Sequence, residues 1–413
     1  MKILLSNVAC SPIGGSELYF GWSAVKCLAQ DHELWVLTNP RHRPELEVAQ
    51  AQGSVPPTVK FIYVSQIKAW HQNQLKARIQ AWKEYIQFTG SILAVAQKLH
   101  AQEQFDLVHH VTYATWRVAS PLWRLGVPFV FGPIGGNEHF PLPFLRSLSA
   151  TAATFEIVRM LAGGASRFSP AVRTCIRRSA HMLVANEETE SLIRNLRGSS
   201  AGITRLTPAF YSEEKIREFA GPAVEKNVTG PLRLFAGGKL EGRKGVALAL
   251  RALARVKQQG VKFQYRLGGE GPEAGHLQQL IVQLGLKDEV ILGEPLRGPA
   301  YLGELRETHV FLLPSFRESA GLTMMEAMLS GCVPIVADCA GPGNIVTADC
   351  GYKIPVSNAE RMIDEMARVI VELDANRKII LKKGAAARER IATAFSEQNY
   401  RRTINAVYAS VKK

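Results

Sequence analysis

Short apolar runs alternate with stretches of helical spacing along almost the whole chain, and no other feature limits the fold as strongly. The runs fall at residues 2–6, 34–37, 60–64, 106–110, 129–131 and 181–185, and a second series follows at 233–236, 263–267, 289–292, 310–313 and 334–337. Strands separated by helices pair in parallel and need helices on both faces of the sheet, so the pattern predicts an α/β protein. Gly221-Pro222 and Gly230-Pro231 stand between the two series and read as chain breaks. Two doubly wound domains are therefore expected, over residues 1–215 and 230–394, with the boundary near 208–230. A length of 413 residues also exceeds what one core usually organises.

Ligands of such sheets sit beyond the carboxyl ends of the strands, so the strand-to-helix junctions are where chemistry is sought. At the junction after residues 310–313, Pro314-Ser315 leads into Glu318, and residues 321–329 have helical spacing that Gly331 ends. Glu318 is expected at the mouth of that helix, with Glu326 roughly 12 Å further along nearly the same face. Most glutamates are solvated surface residues. Here Met324, Met325, Ala327, Met328 and Leu329 surround Glu326, and an acid in apolar company needs a partner, which a hydroxyl-rich ligand would supply.

Other junctions are also suggestive. Ser11-Pro12-Ile13-Gly14-Gly15-Ser16 precedes a helical stretch, so its backbone is free to approach a phosphate, although a tight turn explains such glycines equally well. In the second series, residues 235–245 read Phe-Ala-Gly-Gly-Lys-Leu-Glu-Gly-Arg-Lys-Gly. Lys239 and Lys244 among those glycines suit a diphosphate and the charge it carries away, against the ordinary alternative of solvated lysines at a turn. His109 and His110 end the fourth run, where strand alternation turns them to opposite faces and only one is expected toward a cleft. Gly132-Pro133-Ile134-Gly135-Gly136 then fixes a loop whose rim carries Asn137, Glu138 and His139.

The block from Pro314-Ser315 through Glu318 to Glu326-Ala327-Met328 and Gly331-Cys332-Val333-Pro334 resembles the signature of retaining, family-4 glycosyltransferases of the GT-B fold. The resemblance covers nearly the whole chain and is strongest from 233 to 354. It implies two Rossmann-like lobes facing across a cleft, with a helix near 395–413 packing back on the first lobe. It gives Glu318 the donor sugar and Glu326 the nucleotide ribose. Lys239, Lys244, Gly14 and Gly15 become donor contacts, one of His109 and His110 approaches the transferred sugar, and Asn137 and Glu138 lie on the acceptor side. Lys239 departs from the family, which usually has arginine there, and so keeps the charge without the bidentate fork. Asn344 stands where relatives often have glutamate and receives no role. The Gly-Pro-Ile-Gly-Gly segment is similar to that of family members that build bacterial polysaccharides.

The reaction so implied moves a sugar, with retention, from a nucleotide-diphosphate sugar to a glycan or lipid-linked acceptor. No cofactor and no metal are expected: no Cys, His or carboxylate cluster has ligand spacing, and the Asp-x-Asp pattern of metal-dependent sugar transferases is missing. A nucleotide-sugar-binding protein without transfer, or an epimerase-like GT-B enzyme, is the alternative.

A formal charge of +14 implies an anionic partner. No helix-turn-helix, zinc or RNA-binding signature accompanies it, so nucleic acid is not expected. Residues 68–98 carry Trp70, Lys76, Arg78, Trp82, Lys83, Tyr85 and Phe88, and a later stretch carries Arg146, Arg159, Arg167, Arg173, Arg177 and Arg178 with Glu156 as its only acid. Both suit an anionic membrane surface, or equally a solvated helix face. No apolar run approaches the roughly 18 residues of a spanning helix, and the six cysteines form no C-x-x-C pair. A cytoplasmic protein is the expectation, with attachment to the inner face of the membrane left open between those two readings of the basic stretches.

Overall fold

The computed structural model describes residues 1–64, 74–148, 150–221 and 226–412, with no account of the side chains of 74–82, 146, 147 and 150–152. Trp70, Lys76, Arg78, Trp82 and Arg146 of the basic stretches therefore lie outside the described side chains. The chain forms two compact units, Met1–Asn137 with Ala162–Phe210 and Tyr400–Lys413, and Glu138–Leu161 with Tyr211–Asn399.

In the first unit, β1 (Lys2–Ser6), β2 (Glu33–Thr38), β3 (Val59–Tyr63), β4 (Leu107–His110), β5 (Phe129–Ile134), β6 (His181–Val184) and β7 (Ile203–Arg205) form one sheet. Its order is β3-β2-β1-β4-β5-β6-β7, and every pairing is parallel. Alternate residues feed two cores. Ile3, Leu5 and Val36 face one side, and Leu4, Trp35 and Leu37 the other. Both faces are covered, which is why these strands read as continuous apolar runs rather than alternating ones.

Tyr85, Phe88, Ile92 and Ala96 form the inward stripe of the helix Gln74–Glu103. Tyr85 and Phe88 are thus core residues, and their aromatic rings are unavailable to a surface partner. On the opposite core, Tyr400, Ile404, Val407 and Tyr408 of the last helix, Glu397–Val411, pack with Ile3, Leu5 and Val36.

In the second unit, β8 (Leu232–Gly237), β9 (Phe263–Gly268), β10 (Val290–Gly293), β11 (Val310–Leu312), β12 (Val333–Ala337) and β13 (Tyr352–Ile354) form a sheet of order β10-β9-β8-β11-β12-β13. All its pairings are parallel as well. The order reverses between β8 and β11 here, and between β1 and β4 in the first unit. That reversal is the topological switch where open α/β sheets leave a crevice. The turns after β8 and β11 carry the basic, Gly-rich stretch and Glu318, so topology alone brings them together. All six cysteines are free, and five are buried.

Candidate functional site

The site in the second unit is built from two turns. After β8 the backbone passes through Gly237 and Gly238, then a single 3-10 turn at Gly242–Lys244, before Gly245 opens the helix Val246–Gln258. After β11, Pro314 and Ser315 lead through Glu318 to Gly321, which sits at φ 80° and starts the helix Leu322–Leu329. Glu318 therefore precedes the helix instead of lying at its mouth, and the helical rise does not set its distance from Glu326. The left-handed Gly321 interrupts the periodicity that suggested otherwise.

The first turn closes on the second. Lys244 Nζ donates to Glu318 Oε1, and Arg243 Nη1 donates to the same oxygen at 3.3 Å. Arg243 also pairs with Glu241 at 2.6 Å and donates to the Arg317 carbonyl. Its own carbonyl accepts from Phe316 N at 2.9 Å and Ser315 Oγ at 3.2 Å. Burial alone would push the Glu318 carboxyl upward, but the Lys244 and Arg243 charges outweigh it and hold Glu318 below the usual carboxylate range. Glu318 is thus ionised and anchored at neutral pH.

Lys239 stands exposed on the same turn, where its carbonyl accepts from Glu241 N at 3.0 Å. A pocket beside it is lined by Gly237, Gly238, Lys239, Leu240, Lys244 and Leu313. The glycines owe part of their presence to packing: a Cβ on Gly269 would stand 2.1 Å from the Gly238 carbonyl oxygen, and one on Gly271 2.3 Å from that of Leu240. The two Gly-rich turns are thus in backbone contact, and neither is free of a structural reason for its glycines.

Glu326 has a partner within the chain, the Tyr301 hydroxyl, which donates to Oε2 at 2.6 Å. Sequence reasoning missed Tyr301 because nothing local marks it: it lies on the helix Gly298–Glu307, 25 residues away. Burial, reinforced by Glu218, raises the Glu326 carboxyl to about 7, against the pull of Tyr301 and Lys215. The folded state therefore holds this proton more tightly than the unfolded chain. The resulting stability is complete below the ordinary value of 4.5 and is lost as pH rises through about 7. Glu326→Gln keeps an acceptor for Tyr301 and removes the titration. Relative to wild type, its stability in urea melts is expected to gain about 1–3 kcal/mol between pH 5 and pH 8; parallel pH profiles would show that Glu326 does not titrate in this window.

In the first unit, Gly14 and Gly15 precede the helix Ser16–Leu28, with Gly15 at its N-cap. A Cβ on Gly14, which adopts φ 134°, would meet Leu18 at 2.4 Å. His109 and His110 are both fully buried and turn to opposite faces. His109 joins the Tyr408 hydroxyl at 2.7 Å and the Gly132 carbonyl at 2.6 Å, so both ring nitrogens are engaged. His110 Nδ1 lies 3.1 Å from Ser120 Oγ, while its Nε2 has no described partner. Burial lowers the first to about 4 and the second to about 3, leaving both neutral at pH 7. Asn137 donates to the Glu188 carbonyl at 2.6 Å. Glu138 is buried in the second unit, where its carbonyl accepts from Arg159. Asn344 Nδ2 donates to the Ala340 carbonyl at 2.6 Å. Among the described residues, no group of three or more His, Cys, Asp or Glu could hold a metal, and no helix is long and apolar enough to cross a membrane.

Residues 220–385 match the family described as Glycosyl transferases group 1. This segment belongs to that family. The group 1 segment contains both turns, Glu318, Glu326 and Tyr301. In sequence, the chain is 31% identical over 185 residues to a protein of Escherichia coli K12 named for colanic acid biosynthesis, the glycosyltransferase WcaL; the match covers 43% of this chain and 45% of WcaL. The chain spans about half the length of three curated relatives it matches, 45%, 46% and 57%. In structure, it superposes on a glycosyltransferase from Rickettsia africae with TM-score 0.64 and 13% identity, covering 100% of this chain and 98% of the other. It superposes on Anabaena HepE, solved in complex with UDP and glucose, with TM-score 0.59 and 16% identity, covering 99% and 100%. The fold around the group 1 segment is therefore that of GT-B glycosyltransferases, two Rossmann-like parallel sheets of seven and six strands.

Proposed function

We propose that this chain is a retaining, metal-independent glycosyltransferase that moves a sugar from a nucleotide-diphosphate sugar to a glycan or lipid-linked acceptor in polysaccharide biosynthesis. The observation that carries this reading is the ionised Glu318 held by Lys244 and Arg243 at the topological switch of the group 1 segment. Such a cluster supplies fixed positive charge where a diphosphate leaves and a carboxylate where sugar hydroxyls need an acceptor. Lys239 and Lys244 bind the diphosphate, Glu318 orients the sugar, and Glu326, backed by Tyr301, accepts from the ribose.

No side chain is placed as a covalent nucleophile in this reading. The acceptor oxygen attacks the anomeric carbon on the face the diphosphate leaves, and the departing phosphate oxygen takes the acceptor proton. Gly14 and Gly15 are further donor contacts, and Asn137 and Glu138 belong to the acceptor side. Either His109 or His110 approaches the transferred sugar in this reading, although both are fully buried. Binding of UDP-sugars by the structural neighbour HepE supports a nucleotide-sugar donor. The names of WcaL and of the amylovoran biosynthesis glycosyltransferase AmsK of Erwinia amylovora support a polysaccharide product. Exposed Arg167, Arg173, Arg177 and Arg178 support peripheral attachment to an anionic membrane.

A thermal-shift panel of UDP-, GDP- and ADP-sugars without added metal tests the reading. One nucleotide family is expected to stabilise wild type, and the shift to shrink in Glu326→Ala. Absence of any shift, together with no release of nucleotide in the presence of extracts containing glycan acceptors, would refute it.

A further inference from the structure

The helix Ala150–Ser166 is amphipathic in the reverse sense. Phe155, Ile157, Val158 and Leu161 are 39–70% exposed, whereas Glu156 is 3% exposed and faces inward with Arg159. Burying a carboxylate is costly unless it is paired, so an inward glutamate calls for a reason. The reason is Arg317. Its Nη2 donates to Glu156 Oε1 at 2.7 Å across 161 residues of sequence, and Arg159 Nε fills Oε2 at 3.1 Å. Phe140 and Phe144, on the same inserted segment, hold the Phe316 ring at centroid distances of 5.1 and 4.7 Å. The segment 138–161, which follows β5 of the first unit in sequence, belongs to the second unit and grips residues 316 and 317.

Residue 318 comes next. Arg243 holds the same loop as well, through the Arg317 carbonyl, Phe316 N and Ser315 Oγ. The Glu318 carboxylate is thus the end of a short stretch of backbone clamped between the turn after β8 and the inserted segment.

We propose that Glu156 is a positioning residue for sugar transfer: by fixing Arg317 it sets the backbone from which Glu318 reaches Lys244 and the donor sugar. This rests on the function proposed above. A buried ion pair is poor evidence of stability on its own, and replacing one is often nearly neutral. Its value lies in geometry, since a displacement of about 1 Å at a reacting group costs up to about a hundredfold in rate.

The test uses the full chain as wild type, Glu156→Gln and Glu156→Asp, with two readouts. Hydrogen exchange of peptides covering 313–321 is expected to quicken about tenfold in Glu156→Gln while those of β8 and β9 are unchanged. With the sugar nucleotide that wild type turns over, kcat is expected to fall by about tenfold to a hundredfold, donor KM to move by less than about threefold, and Glu156→Asp to recover part of kcat. Unchanged exchange over 313–321 would overturn the inference whatever the kinetics, and so would faster exchange with kcat intact. If wild type turned over no sugar nucleotide, the proposed function would fail, and the inference that Glu156 positions transfer would fall with it; the exchange result would then separate a clamped loop from a free one. Should Glu156→Gln not fold, Arg317→Lys, which keeps the charge and loses the fork, replaces it with the same expected and contrary results.

Discussion

Replacing Lys244 with methionine is expected to lower sugar transfer by on the order of 10²- to 10³-fold, the loss typical of removing one fixed donor from the place where charge develops. Lys244 sits within the turn that closes on Glu318, and its Nζ is bonded to the Glu318 carboxylate before any donor arrives. Methionine matches its length and apolar stem but leaves the departing diphosphate without that charge. It also leaves Glu318 with Arg243 alone at 3.3 Å, so the Glu318 carboxyl should rise from its depressed position and the folded state lose about 1–3 kcal/mol. Lys244→Arg keeps the charge and should retain more activity than methionine. Steady-state turnover with the donor identified by thermal shift, alongside urea melts, measures both effects. Transfer within about tenfold of wild type in Lys244→Met would remove Lys244 from the mechanism.

Gly245→Val is expected to cost still more in stability, about 4 kcal/mol or more. Gly245 adopts φ 68°, a left-handed conformation that costs a β-branched residue at least about 1–2 kcal/mol. A Cβ there would also stand 2.4 Å from the Pro314 carbonyl oxygen, which is backbone and has little room to retreat. Valine would have to push the turn after β8 away from the Pro314–Ser315 turn, the contact through which Lys244 reaches Glu318. Gly245→Ala should show the same direction with a smaller loss. Urea denaturation of both variants checks this, and an alanine variant as stable as wild type would mean that the two turns separate freely.

Much of the architecture was legible in the residues. Every apolar run picked out from the sequence carries a strand, and parallel pairing follows from the helices between them. Two strands escaped, Ile203–Arg205 and Tyr352–Ile354. Each has three residues and lies at a sheet edge, so each has little burial to write an apolar run into the sequence. In the site, the residues that announce themselves locally, Lys244 in a Gly-rich turn and Glu318 after Pro-Ser, are the ones the topological switch brings together. Their supports do not announce themselves. Tyr301 and Glu156 act across 25 and 161 residues, through contacts that only the folded chain makes, and no local pattern encodes such pairings. Glu156 even looked like an ordinary acid in a basic stretch, because an inward-facing glutamate leaves no periodic trace.

The two units are woven from alternating pieces of one chain, with passages at 137/138, 161/162, 210/211 and 399/400. That threading bears on the order of events during synthesis. The core formed by Ile3, Leu5 and Val36 is closed by Tyr400, Ile404, Val407 and Tyr408, so β1 and β2 wait for residues synthesised after the whole of the second unit. Until then the ribosome-bound chain holds an apolar face open, while Phe316 and Arg317 emerge to find residues 140–156 already synthesised. The second unit has its parts available before the first does, and vectorial synthesis would let the later-encoded sheet finish before the earlier one.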